Sequence, residues 1–282
     1  MMRIAVASGK GGTGKTTVAT GLALYLSRRQ SVHVIDCDVE APNAALLLHP
    51  AIFLAGPVMR PVPSIDESRC DHCGKCSDAC RFNAIAVTAS RVVLFPEICH
   101  SCGGCTEVCP RGAITERPRA IGEFADGSVG KIQFTQGSLN AGETATVALI
   151  RAVRQMEREA DVLLLDAPPG ASCPMIAAVE DTDCVVLVTE PTPFGLNDLL
   201  IAAEAVRRMN LRAGVVINRD GIGDARVDRF CASAGLPVLG RIADDRAIAE
   251  AYSRGEHPFE TVPAFRAAMA AIAQSLGAEA SA

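Results

Sequence analysis

Apolar positions along the chain follow two rhythms. Ile4 to Ala7 form a short apolar run, SGKGGTGKTT follows, and VATGLALYLSRR then places apolar residues at helical spacing, which predicts strand, glycine loop and helix in that order. SVHVID, DVLLLD and GVVIN are further apolar runs ending in polar or turn residues, and each reads as a strand. This alternation holds to about residue 62, gives way to a Cys-rich stretch of short elements over about 64–118, and resumes from about 143. The pattern predicts an α/β domain made of residues 1–63 and 119–282, interrupted by an inserted small domain at 64–118.

Composition narrows the partners. The 282 residues are 49% hydrophobic with a formal charge of -5, so no wide basic face for nucleic acid or anionic lipid is expected. The opening MMRIAVASG is too short in its apolar part for a signal-peptide core, and no run approaches eighteen apolar residues. A soluble, cytoplasmic protein without a membrane anchor is therefore expected. In a reducing compartment its twelve cysteines point away from disulfides.

Gly9 to Thr16 matches GxxxxGK[ST] with a strand before it and a helix after it. In that context Gly9, Gly11, Gly12 and Gly14, with Thr13, Thr16 and Thr17, shape a loop whose backbone N–H groups wrap phosphates. Lys15 reaches the outer phosphates, and Thr16 offers a hydroxyl to magnesium. The helix N-terminus adds its dipole at the same place. The pattern implies ATP and magnesium as cofactors. An NKxD guanine signature is missing, because Gly221 stands where its Asp would be.

Lys10, directly after the first glycine, resembles the second lysine of the deviant loop in the MinD, ParA, Mrp and nitrogenase iron protein superfamily. That resemblance implies a doubly wound, mainly parallel sheet and a nucleotide-dependent homodimer, or a heterodimer with a similar ATPase, in which Lys10 acts on the partner's nucleotide. DCDVEAPN resembles the family's switch I, with Asp38 orienting the attacking water and Asp36 near the metal's water shell. Either Asp could equally cap the following helix. DAPPG resembles switch II, with Asp166 holding magnesium and Gly170 donating its N–H to the terminal phosphate. Asn218 and Arg219 match the adenine-edge position, and Asp244 and Asp245 are further base-side candidates. Lys10, Lys15, Asp38 and Asp166 form the expected catalytic set.

CDHCGKCSDAC and CHSCGGCTEVC are both CxxCxxCxxxC. Two tandem sets of four fit cubane clusters better than the paired ligands of a zinc site. The spacing resembles that of bacterial two-cluster ferredoxins. That resemblance implies two 4Fe-4S clusters, the first on Cys70, Cys73, Cys76 and Cys109 and the second on Cys99, Cys102, Cys105 and Cys80. The second run ends in Cys109-Pro110 as the pattern expects, whereas the first ends in Cys80-Arg81. With seven acidic and six basic residues, the segment lacks the acidic face of many free ferredoxins.

Four cysteines lie outside the runs. Cys173, seven residues after Asp166, reads as a small buried thiol at a helix start, with ligation of a third, dimer-bridging cluster as the alternative. Cys37 reads as a strand-end thiol or a redox-sensitive one, and Cys184 and Cys231 as core. The Ala-rich C-terminal FRAAMAAIAQSLGAEASA is expected to be helical and lacks the basic face of a MinD-type membrane helix.

Three functions follow as expectations. The first is an ATPase whose nucleotide state gates electron transfer through two clusters to a redox partner. The second is an Mrp-like carrier of iron–sulfur clusters to a recipient protein. The third is a redox-sensing regulatory or positioning switch.

Overall fold

The computed structural model describes residues 1–278. In chain order the elements are β1 (Met2–Ala7), α1 (Lys15–Leu26), β2 (Val32–Asp36), α2 (Ala44–Leu48), β3 (Ala51–Ile65), α3 (Lys75–Ala79), β4 (Ile85–Val87), β5 (Val92–Leu94), α4 (Gly104–Glu107), β6 (Ile114–Val129) and β7 (Ile132–Leu139). They continue as α5 (Thr146–Arg154), β8 (Val162–Asp166), α6 (Cys173–Val179), β9 (Cys184–Thr189), α7 (Pro193–Arg208), β10 (Ala213–Asp220), α8 (Arg226–Ala234), β11 (Val238–Ala243), α9 (Arg246–Ser253), α10 (Pro258–Thr261) and α11 (Pro263–Leu276).

Nine strands form one sheet in the order β11-β10-β9-β1-β8-β2-β7-β6-β3. The seven from β11 to β7 pair in parallel, and β6 and β3 close one edge antiparallel. Strand alternation sorts side chains onto two faces. Ile4 and Val6 enter a core covered by α1, α10 and α11, whereas Ala5 and Ala7 enter a second core covered by α5, α6, α7 and α8. Burial on both faces explains why the central strands read as unbroken apolar runs. It also gives the doubly wound, mainly parallel α/β fold expected from the sequence.

At the β3 edge the reading of the sequence fell short. β3 and β6 form one long antiparallel ribbon from Ala51 opposite Ser128 to Ile65 opposite Ile114, with the register shifting between Ile52 and Leu54 and again between Val58 and Met59. Its base joins the sheet through β7, and its far end carries the Cys-rich segment. The 63/64 and 118/119 boundaries cut across this ribbon, since Pro63 faces Glu116 and Pro61 faces Pro118. Sheet structure also resumes at Ile114, well before residue 143. Pro57, Pro61 and Pro63 disguise β3 as a loop, yet an edge strand tolerates residues that donate no N–H.

The Cys-rich segment is a small unit built twice over. Gly74 and Gly103, at φ 79° and 73°, precede the two short helices α3 and α4. The Cys80 and Cys109 sulfurs each accept a backbone N–H four residues on, from Ala84 and Ala113, both at 3.3 Å. Cys76, Ile85 and Ile114 form its core.

The far end is helical as expected: α11 packs Phe265, Met269 and Ile272 into the sheet's core, so its apolar face is already covered. Residues 279–282 of the tail lie outside the described residues. Among the described residues no helix is long and apolar enough to cross a membrane.

Candidate functional site

The loop between β1 and α1 opens where parallel strands end at their C-terminal edge, the usual ligand crevice of this architecture. Gly14 holds φ 91°, and a Cβ there would meet the Asn218 Nδ2 at 2.4 Å. A Cβ at Gly9 would lie 2.1 Å from the Asp198 carbonyl oxygen. Both positions therefore require glycine.

Two cavities flank the loop. One, of about 390 Å³, is lined by Gly12, Gly14, Lys15, Thr16, Thr17, Asn218, Arg219, Asp244 and Asp245, a size that suits a small ligand. The other, of about 410 Å³, is lined by Gly11, Gly12, Lys15, Asp38, Glu40 and Thr146, with Pro168 and Pro169 opposite. Lys15 faces both. The residues expected at the base end and at the terminal-phosphate end thus fall on either side of one buried ammonium.

Asp166 is fully buried, and both its carboxylate oxygens lack a hydrogen-bond partner. Burial, with Asp36 beside it, pushes its pKa up to about 8 against the pull of Lys15 and the Thr16 hydroxyl. A buried carboxylate without donors beside a threonine hydroxyl fits a divalent cation, which would supply the missing positive charge. Magnesium therefore suits the residues present.

The other acids divide. Asp36 accepts backbone N–H groups from Asp38, Asn43 and Ala44, each at 3.0 Å, so the capping role left open by the sequence is the one its carboxylate performs. Burial raises it to about 6. Asp38 is directed into the second cavity, raised by burial and held down by Lys15. Asp245 caps α9 through Ala247 N–H at 2.8 Å. Gly170, at φ 98°, donates its N–H to the Ser8 carbonyl at 2.9 Å, so donation to a phosphate requires that bond to open.

Asn218 donates to the Thr13 carbonyl at 2.8 Å and so ties the base-side strand to the loop. Lys10 pairs with Glu190 at 3.3 Å, and Arg219 pairs with the other oxygen of the same carboxylate at 3.1 Å. Glu190 was missed in the sequence. Its signal was available, since it is the acid directly after the apolar run CVVLVT, at the same strand edge as Asp36 and Asp166.

At the ribbon's tip the eight run cysteines divide between two pockets. One is lined by Cys70, Cys73, Cys76 and Cys109 among Ile65, Val87, Val92 and Ile114. The other is lined by Cys80, Cys99, Cys102 and Cys105 with Pro63, Ala84 and Ile85. Each pocket thus takes three cysteines of one run and the last of the other. Among the described residues no three His, Cys, Asp or Glu side chains gather as ligands of one metal ion would. Four cysteines lining one pocket match in number the four irons of a cubane, each of which takes one thiolate. Burial raises the Cys76 and Cys105 thiols, a cost that metal ligation removes by taking the thiolate.

The remaining cysteines are partly as expected. Cys184 and Cys231 are buried core, and burial drives the Cys37 thiol far up, which makes it unreactive. Cys173 is a correction: it is exposed at the first position of α6, because that helix buries Met175, Ala177, Ala178 and Val179 instead.

Residues 4–111 match the CobQ/CobB/MinD/ParA nucleotide binding domain. An uncharacterised protein of Methanocaldococcus jannaschii is 34% identical over 227 residues, covering 79% of this chain and 80% of that one. An iron-sulfur cluster carrier protein of Aquifex aeolicus is 26% identical, covering 90% of this chain and 60% of its own length. The structure of the septum site-determining protein MinD of Pyrococcus horikoshii, solved with Mg-ADP, superimposes with a TM-score of 0.61 at 18% identity, covering 98% and 95% of the two chains. With the loop, the parallel sheet and these likenesses in agreement, the chain belongs to the CobQ/CobB/MinD/ParA family of nucleotide-binding P-loop ATPases.

Proposed function

We propose that this ATPase couples the nucleotide state of its P-loop to two 4Fe-4S clusters held in a ferredoxin-like unit at the tip of the β3–β6 ribbon, and so gates electron transfer to a protein acceptor. The observation that carries the reading is the interleaving of the two pockets, in which each is closed by the last cysteine of the other run. A cluster in such a pocket is locked by both halves of the unit, which suits a resident redox centre. When bound, each cluster supplies a one-electron couple. Cys70, Cys73, Cys76 and Cys109 would hold one, and Cys99, Cys102, Cys105 and Cys80 the other.

On the nucleotide side, Gly9 to Thr17 would wrap the phosphates and Lys15 would neutralise the outer ones. Thr16 and Asp166 would hold magnesium. Asp38 would orient the attacking water from its place beside Lys15, and Asn218 with Arg219 would border the base. Lys10 would leave Glu190 to reach the nucleotide of a second copy, where its charge stabilises the transferring phosphoryl group. Gly170 would trade its Ser8 bond for the terminal phosphate. Dimer opening after hydrolysis then changes the chain's geometry.

The relatives' names favour a second reading more than this one: delivery of an iron–sulfur cluster to a recipient protein. Protein reconstituted anaerobically with iron and sulfide, then reduced with dithionite, separates the two. Stopped-flow bleaching that requires MgATP and an acceptor redox protein, with iron retained on the chain, supports gating. Iron and sulfide appearing on an apo-ferredoxin at the chain's expense supports delivery and sinks gating.

A further inference from the structure

The ribbon that carries the cysteine unit also carries Arg60, which is 8% exposed and lies between the two candidate sites. Its Nη1 donates to the Cys99 carbonyl at 2.5 Å. Its Nη2 donates to the carbonyls of Pro96 at 2.9 Å and Glu97 at 3.3 Å. Arg60 thereby holds three backbone groups of the loop that leads into the second cysteine run.

On the other side of the guanidinium lies Glu143, whose Oε2 is 3.7 Å from Nη2 and whose side chain is 4% exposed. Arg119 bridges the same elements, donating to Glu143 and pairing with Glu97 at 3.1 Å. The Thr144 hydroxyl adds a bond to the Glu97 carbonyl at 2.7 Å. Three residues after Glu143, Thr146 opens α5 and donates to Glu40 at 2.8 Å. Glu40 and Thr146 line the cavity that also contains Asp38 and Lys15. A short, largely buried path therefore runs from the Cys99 carbonyl through Arg60, Glu143 and Thr146 to the terminal-phosphate end of the cleft.

The path has a second feature. Arg60 Nε and Glu143 Oε2 are both buried without a hydrogen-bond partner. Glu143 Oε2 is thus an unused acceptor 3.7 Å from Arg60 Nη2, an incomplete pair. Closing this gap to hydrogen-bond length takes a shift of less than about 1 Å and sets Glu143 in competition with the Pro96 and Glu97 carbonyls for the same Nη2. Arg60 thus has two competing sets of partners, the kind of bistable contact through which one site biases another.

We propose that Arg60 and Glu143 are positioning residues that tie the loop bearing Cys99 to the Glu40–Thr146 wall of the nucleotide cleft, so that each site responds to the other's occupancy. The proposal rests on the reading that Cys99 is a cluster ligand and that the cleft binds ATP, but its first readout needs no cluster. Neither residue touches nucleotide or iron; each acts through a neighbour.

Hydrogen exchange on the full-length chain, with MgADP and with a non-hydrolysable ATP analogue, reads the coupling directly. The expected result is at least about a fivefold difference in exchange of the 96–101 amides between the two nucleotides in the wild type, and its loss in Glu143→Gln and in Arg60→Lys. Thr146→Val breaks the path far from the cysteines, and is expected to remove the difference while leaving 96–101 at its MgADP level. In reconstituted protein, the same variants should keep about eight irons per chain yet lose any nucleotide-dependent change in the electron paramagnetic resonance signal or midpoint potential. Exchange at 96–101 that ignores nucleotide in the wild type, or a difference that survives in Glu143→Gln and Thr146→Val, overturns the proposal. An iron count near zero with the exchange difference intact instead removes the cluster reading and leaves the mechanical joint standing.

Discussion

The Lys10 ammonium lies 3.3 Å from the Glu190 carboxylate of its own chain, so the lysine that the family motif assigns to a partner's nucleotide is held at home. The Glu190 side chain is 9% exposed and is shared with Arg219, which borders the base side of the cleft. Release of Lys10 therefore exchanges one ion pair for another and leaves Glu190 to Arg219 alone. Glu190→Gln removes the competing charge. It is expected to strengthen ATP-dependent dimerisation by about three- to tenfold, as loss of a partly screened pair worth about 1 kcal/mol would. Analytical ultracentrifugation with a non-hydrolysable ATP analogue measures it, and weaker dimerisation would instead mean that Glu190 helps to present Lys10.

Cysteine replacements should separate by pocket rather than by position in the sequence. Cys109→Ser removes a wall of the pocket containing Cys70, Cys73 and Cys76, although Cys109 belongs to the second run. Cys80→Ser does the reverse. Each is expected to lower reconstituted iron from about eight to about four per chain, and the two variants should lose different electron paramagnetic resonance signals. The double variant Cys80→Ser/Cys109→Ser should hold almost none. Cys173→Ser should leave the iron count unchanged, since that thiol lies outside both pockets. Retention of a full complement in Cys109→Ser would break the interleaved assignment.

How much of this was legible in the sequence depends on what each residue answers to. Gly9 to Thr16 and the two cysteine runs are local patterns, and the backbone geometry they need is written into adjacent residues, so they could be read directly. The parallel strands were legible because burial on both faces makes them continuously apolar. The ribbon was not: AIFLAGPVMRPVPSI contains three prolines and no clean alternation, and it is a strand only because β6, some fifty residues away, pairs with it. Arg60 and Glu143 were hidden for the same reason. Their partners lie at sequence distances that no window spans, and a charged residue without its partner reads as surface. Asp36 shows the opposite limit, for the sequence placed it correctly at a strand end but could not choose between metal and backbone as its partner.

Asp166 is a stability liability without its cation. A fully buried carboxylate carries a desolvation cost that Lys15 and the Thr16 hydroxyl offset only in part, with Asp36 adding to it. Asp166→Asn is expected to raise the nucleotide-free melting temperature by about 2–4 °C for each kcal/mol recovered, while abolishing magnesium-dependent ATP turnover. The folded carboxyl has its pKa raised to about 8 from 3.8, so the native state holds its proton while the unfolded state gives it up across that interval. The gain from Asp166→Asn should therefore grow as pH rises from about 4 to 8 and level off beyond. Calorimetric scans at several pH values test the trend, and a melting temperature below wild type throughout would show that the carboxylate has an internal partner.

His33 and His257 give the opposite pH dependence. Both are buried neutral. The His257 Nδ1 accepts the Phe259 N–H at 3.0 Å, and its Nε2 meets the Thr20 hydroxyl, whose own proton goes to the Thr16 carbonyl at 2.6 Å. The His33 Nδ1 accepts the Arg158 N–H at 3.1 Å, and its Nε2 meets Thr135, which donates to Asp126 at 2.7 Å. In each ring one nitrogen must remain unprotonated to accept, and burial lowers both pKa values to about 4 from 6.5. The unfolded state thus binds more protons between those limits. Each histidine's contribution is complete above about pH 6.5, is lost as pH falls toward 4, and amounts to roughly 3 kcal/mol at full extent. In the wild type alone this loss is masked by Asp36 and Asp166, which gain stability over the same fall in pH. The decisive quantity is therefore the difference between wild type and His257→Gln in urea denaturation at pH 7.5, 6 and 5. It should shrink steadily toward acid, because the glutamine has no proton to take up. A difference that stays constant with pH would mean that His257 binds its proton equally well folded and unfolded.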